Sequence, residues 1–196
     1  MFLKNFNKYI VIEGNIGVGK TTLAQSLSNI YKGSVLLEEF NNNKFLKEFY
    51  DFGRYTFEME MQFLIDRSFQ ISKFFSRDHS IIFSDFHIDK SLMFSKMNLP
   101  KTSFDILKQT HKNLFRQFPK PDLIIFLEGS LDSILNNIKK RNRSYEQKFS
   151  KEYLEKIAFS YVNWLENIKT PVFKISSNKL IFKDSKEIKN IFSSIF

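Results

Sequence analysis

A chain of 196 residues, 42% hydrophobic and 26% charged, is long enough to enclose one sizeable core. Its net charge of +9 favours anionic partners, a nucleotide or a nucleic acid. The lack of Cys excludes disulfides, thiolate metal sites and a thiol nucleophile. No apolar run approaches the roughly 20 residues of a membrane helix, and no signal-peptide stretch precedes the first strand, so a cytoplasmic protein without a membrane partner is expected.

Residues 8–12 (KYIVI) predict a short buried strand, followed by a helix over 21–31 that Gly33 stops. A second strand is expected over 34–37, then a short helix over 44–50 and a long one over 55–75. SIIF at 80–83 reads as a third strand, and residues 101–118 as a helix ended by Pro119 and Pro121. DLIIFL at 122–127 is the fourth strand, with a helix over 131–140. Ser150 caps a helix over 151–168 whose stripe Leu154, Ile157, Tyr161, Leu165 and Ile168 faces a core. Pro171 precedes a fifth strand at 172–175, and a helix over 184–196 closes the chain. Nearly all-apolar strands alternating with helices indicate an α/β fold: a single doubly wound five-stranded parallel sheet covered on both faces. Without repeats, low-complexity tracts or a linker, residues 1–196 are expected to form one domain.

The strongest motif is Gly14-Asn15-Ile16-Gly17-Val18-Gly19-Lys20-Thr21, a complete G-x-x-x-x-G-K-[ST] loop between an expected strand and an expected helix. Its glycines let successive backbone N–H groups face phosphate oxygens, and the helix N-terminus adds its positive end. Lys20 would bridge the β- and γ-phosphates of ATP, Thr21 would ligate Mg²⁺, and Thr22 continues the loop into the helix. A glycine-rich turn that happens to carry Lys would not need that complete spacing in that context.

Beyond the loop, IEGNIGVGKTTLA, the strand ending in Glu38-Glu39, NNNKFLKEFY, FEMEMQFLIDRS, FSDFHIDKSLMFSKMNL and IKKRNRSYEQKFSKEYLEKI follow one another in an order that resembles the deoxynucleoside kinase family. The similarity is to its bacterial deoxyadenosine/deoxyguanosine kinase branch. It implies a P-loop kinase fold with a lid, here about residues 139–149. The implied reaction is transfer of the γ-phosphoryl of ATP, with Mg²⁺, to the 5′-hydroxyl of a deoxynucleoside, in a likeness to homodimeric salvage enzymes.

The resemblance assigns roles residue by residue. The general base should be a carboxylate at the end of the second strand, where a doubly wound sheet opens its crevice, and both Glu38 and Glu39 sit there. The family has Glu-Pro at this point; Glu-Glu-Phe leaves the register open by one residue, although strand neighbours face opposite ways and only one can reach the sugar. Tyr50 matches the tyrosine that contacts the sugar 3′-hydroxyl. Glu60 stands at the base-reading Gln position and Arg67 at the family's Arg, on nearly one face of the long helix. Gln62 points about 200° around the helix from Glu60 and is a poor substitute. Asp85 keeps the acidic residue expected near magnesium, but Phe86 replaces the Arg that follows it, and Lys90 one turn on is the candidate for the lost charge. In the lid, Arg141 and Arg143 would close over ATP, with Glu146 as the lid acid. The three His have no metal-ligand spacing and are read as structural.

Two other readings remain open. A thymidylate-type nucleoside monophosphate kinase would need to hold a substrate phosphate, and Glu-Glu-Phe with Asp-Phe-His lacks the Asp-Arg pairs for that. A non-catalytic nucleic-acid-binding P-loop protein would need a clustered basic face, and only Lys139, Lys140, Arg141 and Arg143 cluster. No nucleic-acid partner is therefore expected. Phe115, Phe118 and Tyr161 could serve a dimer interface or simply the core.

Overall fold

The computed structural model describes residues 7–40, 42–143, 146–180, 184–193 and 195. Strands β1 (Lys8–Gly14), β2 (Ser34–Leu36), β3 (Ile81–Ser84), β4 (Leu123–Glu128) and β5 (Val172–Ser176) form one parallel sheet in the order β2-β3-β1-β4-β5. Chain order departs from spatial order on both sides of β1, so the crevice beyond the strand ends opens there. The expected five-stranded parallel sheet is present.

The pleat explains how both faces are covered. Ile10 and Ile12 of β1 enter one core with Leu23 and Leu27 of α1 (Lys20–Tyr31), while Tyr9 and Val11 enter a second core with Leu64 and Ile71 on the far face. The remaining helices are α2 (Leu46–Phe52), α3 (Thr56–Phe74), α4 (Lys90–Asn98), α5 (Lys101–Phe115), α6 (Leu131–Arg141), α7 (Lys151–Asn167) and α8 (Ser185–Phe192). Helices α6, α7 and α8 join α1 on the first face; α3 and α5 cover the second. Ser150 accepts a hydrogen bond from the Tyr153 N–H at 3.1 Å, capping α7 as its sequence implies. Leu154, Ile157 and Tyr161 of the α7 stripe are buried; Leu165 and Ile168 are half-buried.

The structure adds one helix to the sequence reading, decides one open alternative and shortens one element. Helix α4 was not legible in the sequence. Phe115, Phe118 and Tyr161 are buried within this single chain and serve its core. The closing helix ends at Phe192, and Ser194 and Phe196 of its expected range, like Ser144 and Tyr145 of the lid, lie outside the described residues. No helix among the described residues is long and apolar enough to cross a membrane.

Candidate active site

The phosphate loop follows β1 directly, and two of its glycines show why other residues cannot replace them. Gly14 has φ +145°, and a Cβ there would sit 2.5 Å from the Leu127 carbonyl oxygen. Gly17 has φ +80°, and its Cβ would lie 2.9 Å from Ile138 Cγ1. Asn15 is buried, its amide donating to the Leu154 carbonyl at 2.9 Å and its Oδ1 accepting from the Ile16 N–H at 2.8 Å. Val18 is buried beneath the loop, and Gly19 leads into α1 with φ 109°. Lys20 Nζ donates to the Gly14 and Asn15 carbonyls at 2.8 and 3.0 Å, spanning the loop. Burial, and then the neighbouring Lys90 cation, lower its pKa to about 8.

Two adjoining cavities meet at this loop. One, with about 1000 Å³ of space including its open mouth, is bounded by Gly17, Gly19, Lys20, Thr21, Thr22, Asn137, Arg141 and Arg143. The other, about 870 Å³ on the same measure, lies over the strand ends and runs between α2, α3, α4 and the start of α7. Gly17, Lys20, Thr21, Arg141 and Arg143 border both. A group passed from one cavity to the other would cross a wall made of the phosphate loop and the lid arginines.

Glu38 faces the second cavity just past β2. Arg67 of α3 donates from Nε (3.1 Å) and Nη2 to its Oε1, and Lys90 of α4 donates to its Oε2. Arg67 Nη1 also donates to Ser91 Oγ at 2.6 Å, which ties α3 to α4. Burial alone would raise the Glu38 pKa, but the Lys90 and Arg67 cations outweigh it and hold the carboxyl well below the usual range. Glu39 is exposed and outside the lining. Phe86, next after Asp85, is fully buried in the second core and carries no charge to the site; Lys90 joins Arg67 as the second cation on Glu38.

Asp85, at the end of β3, accepts from Thr21 Oγ1 at 2.5 Å and from the Glu38 N–H at 2.7 Å. Burial raises its pKa, against the Thr21 bond. A hydroxyl and a carboxylate oxygen this close are hard oxygen donors of the kind that would suit Mg²⁺. Among the described residues no group of three or more His, Cys, Asp or Glu could hold a metal.

At the far end of the second cavity, Glu60 is buried and accepts from Ser95 Oγ at 2.9 Å and Asn98 Nδ2 at 2.7 Å. Burial raises its pKa, opposed by those two donors. Gln62 instead bonds Asp66 at 2.7 Å and is outside the lining. Tyr50 joins Phe149 and Tyr153 in an aromatic wall, with ring centroids 4.9 and 6.4 Å away. In the lid, Glu146 is buried and takes Arg141 Nε at 2.8 Å, Arg141 Nη2 at 2.5 Å and Arg143 Nη1 at 3.2 Å. The Arg143 guanidinium also rests 4.0 Å from the Phe40 ring centroid, and Lys148 pairs with Asp51 of α2 at 2.5 Å.

Ser95, Asn98, Tyr153 and Glu13 were missed by sequence reasoning. Glu13 is buried on β1, accepting from the His87 N–H at 2.6 Å and the Tyr161 hydroxyl at 2.7 Å. Its signal was a lone acid inside the apolar strand. His87 packs on Trp164 with ring centroids 5.1 Å apart. The other three had no motif spacing to betray them.

A phosphate loop, an ion-paired carboxylate across from it and a second cavity beside it define a P-loop phosphotransferase. The deoxynucleoside kinase family model matches residues 10–195, and the chain belongs to that family, whose enzymes transfer phosphate from a nucleotide to a deoxynucleoside. It is 34% identical to a deoxyadenosine/deoxycytidine kinase of Bacillus subtilis (strain 168) over 96% of this chain and 92% of that one. It is 35% identical to a deoxyguanosine kinase of the same organism over 80% of this chain and 78% of the other. A solved deoxyadenosine kinase from M. mycoides with products dCMP and a flexible dCDP bound superposes with TM-score 0.81 at 25% identity, covering 95% of this chain and 98% of that chain. Of the three readings left open by the sequence, family membership selects the first.

Proposed function

We propose that this enzyme moves the γ-phosphoryl of ATP to the 5′-hydroxyl of a purine deoxynucleoside, deoxyguanosine before deoxyadenosine, in nucleotide salvage. The observation that supports it is the pair of cavities sharing Lys20, Thr21, Arg141 and Arg143, with Glu38 facing the acceptor side. ATP binds the loop residues Gly14 to Thr22, and Lys20 neutralises its phosphates. Thr21 and Asp85 would hold Mg²⁺, which when bound would offset negative charge on the triphosphate. Glu38 orients the 5′-hydroxyl and takes its proton, with Arg67 and Lys90 fixing the carboxylate. Tyr50 and Glu146 bind the sugar. Residues 1–196 act as one cytoplasmic domain with residues 139–149 as the lid. Exposed Ile65 and Phe69 on α3 and Ile106 on α5 support a homodimer. Incubation with ATP, Mg²⁺ and separate panels of deoxynucleosides, monophosphates and DNA tests the reading: ADP release should depend on a deoxynucleoside, and release with monophosphates alone overturns it.

The base preference rests on Glu60. Its relatives act on different bases, so the family does not choose one. Each Glu60 oxygen already accepts one donor and has room for another. Guanine offers two adjacent donors, N1–H and the 2-amino group. Adenine offers one donor beside an acceptor, setting its N1 lone pair against the carboxylate, a mismatch worth about 1–3 kcal/mol when buried. Deoxyguanosine should therefore lead deoxyadenosine in kcat/KM, and Glu60→Gln should shift the ratio toward deoxyadenosine. A ratio unmoved by the substitution means Glu60 does not read the base.

A further inference from the structure

Glu13 is an acid on the central strand that the reaction, as derived above, does not use. It is only 1% exposed and stands outside the lining of both cavities, so it touches neither donor nor acceptor. Burying a carboxylate is costly unless hydrogen bonds satisfy it. Its two oxygens take three donors: the His87 N–H at 2.6 Å on Oε1, and the Tyr161 hydroxyl at 2.7 Å with the adjacent Gly14 N–H at 3.3 Å on Oε2. Those donors come from three separate segments: the turn after β3, helix α7 and the start of the phosphate loop.

What this arrangement does follows from where the sheet opens. Main-chain pairing of β1 with β3 runs from Lys8↔Ile81 to Val11↔Ser84 and stops there. Continued in the same register, it would set His87 opposite Gly14, the first residue of the phosphate loop. The strands part instead, and the Glu13 side chain reaches across to take the His87 N–H in place of a main-chain carbonyl. On the other edge of β3 the main chain still serves: β2 pairs as far as Leu36↔Ser84, and the Asp85 N–H donates to the Leu36 carbonyl at 3.2 Å. Ser84 Oγ closes the turn from within, donating to the Phe86 carbonyl at 2.8 Å. The turn held in this way carries Asp85, which meets Thr21 Oγ1 at 2.5 Å. Since β1 runs on into the loop that ends at Thr21, the length of the Glu13 side chain sets the gap between the two.

Resting on the reading that Thr21 and Asp85 take the divalent ion, we propose that Glu13 is a positioning residue: its carboxylate extends the β1–β3 pairing through the His87 N–H and so holds Asp85 in reach of the ion. Its reach matters to the reaction more than its charge, because the His87 bond needs an acceptor at that distance and not an anion.

Three variants separate reach from charge and from packing. Glu13→Asp keeps the charge but falls one methylene short of His87. Glu13→Gln keeps the length; its oxygen can hold the His87 N–H while its amide donates to the Tyr161 hydroxyl. Tyr161→Phe leaves Glu13 in place and removes the donor from α7. The probe is Mn²⁺ bound to protein saturated with the β,γ-imido analogue of ATP, read from the loss of the free ion's electron paramagnetic resonance signal. Glu13→Asp should weaken Mn²⁺ binding about tenfold, the lower end of what groups that orient a metal ligand contribute, and move the KM for nucleoside by less than about threefold. Glu13→Gln and Tyr161→Phe should keep Mn²⁺ affinity within about threefold, although Tyr161→Phe should lower the melting temperature. Equal losses in Glu13→Asp and Glu13→Gln overturn the assignment, since charge would then count and not reach. A Tyr161→Phe loss as large as that of Glu13→Asp, or a Glu13→Asp protein that does not fold, overturns it too, because the network would then serve the fold alone. Unchanged Mn²⁺ affinity in all three variants does the same. Asp85→Asn binding Mn²⁺ as tightly as the wild type overturns the placing of the ion at Thr21 and Asp85, and a wild type that releases no ADP with any deoxynucleoside overturns the kinase reading; both outcomes are distinct from the others.

Discussion

Glu38→Gln should lower kcat by about 10²–10³-fold, the lower part of the range for general bases, and leave ATP affinity nearly unchanged. The amide keeps the shape of the side chain but accepts no proton from the 5′-hydroxyl. The moderate size follows from the two cations on the carboxylate: Arg67 and Lys90 hold it ionised well below the usual range, which makes it permanently available but weakly basic. The phosphoryl transition state is loose and asks little of a base, so positioning the hydroxyl is most of the task. Gln also leaves Arg67 and Lys90 facing a neutral group, and part of the loss will come from that. Glu39→Gln is the control. Glu39 is exposed outside the cavity, and its substitution should keep near-normal turnover. Steady-state kinetics on the two variants decide the register at the end of β2; the reverse pattern would make Glu39 the base.

The elements that sequence reasoning found are those whose physics is local. The phosphate loop was legible because a strand, a helix start and glycines at fixed spacing each leave a mark, and Gly14 and Gly17 occupy backbone conformations that side chains avoid. The strands were legible because burial on both faces forces apolar runs. Helix α4 was not, because it turns Lys90, Ser91 and Ser95 inward toward the site and spoils the apolar period. A helix that builds a polar cavity hides its own face.

The same reason separates the legible from the hidden parts of the site. Glu60 and Arg67 share a helix, and their facing could be computed from their spacing. Ser95, Asn98 and Tyr153 come to Glu60 and Tyr50 from other helices, and only tertiary packing brings them there. The register of Glu38 against Glu39 was open because a strand end carries no period long enough to orient it. The pairing of Glu38 with Lys90, 52 positions along the chain, depends on β2 and β3 lying side by side.

Arg141→Ala should reduce kcat on the order of 10²-fold or more while raising the KM for nucleoside by less than about tenfold. Arg141 borders both cavities, so its charge stands where the phosphoryl group is in flight and matters most in the transition state. It is about one-third exposed, while its partner Glu146 is nearly shut away. Removing Arg141 leaves that carboxylate with Arg143 alone, at 3.2 Å, and disturbs the wall next to Tyr50. That second effect acts on sugar binding and belongs in KM. Glu146→Gln separates the two, since it loosens both arginines and the sugar wall but keeps the positive charge at the shared wall. It should therefore raise KM more than it lowers kcat, the opposite split to Arg141→Ala. Arg141→Lys should fall between wild type and Ala, because an ammonium keeps the charge but loses the two-pronged grip on Glu146 Oε2. An Arg141→Ala enzyme changed only in KM would reduce the lid arginines to simple attraction of anions, and the transition-state role would be lost with it.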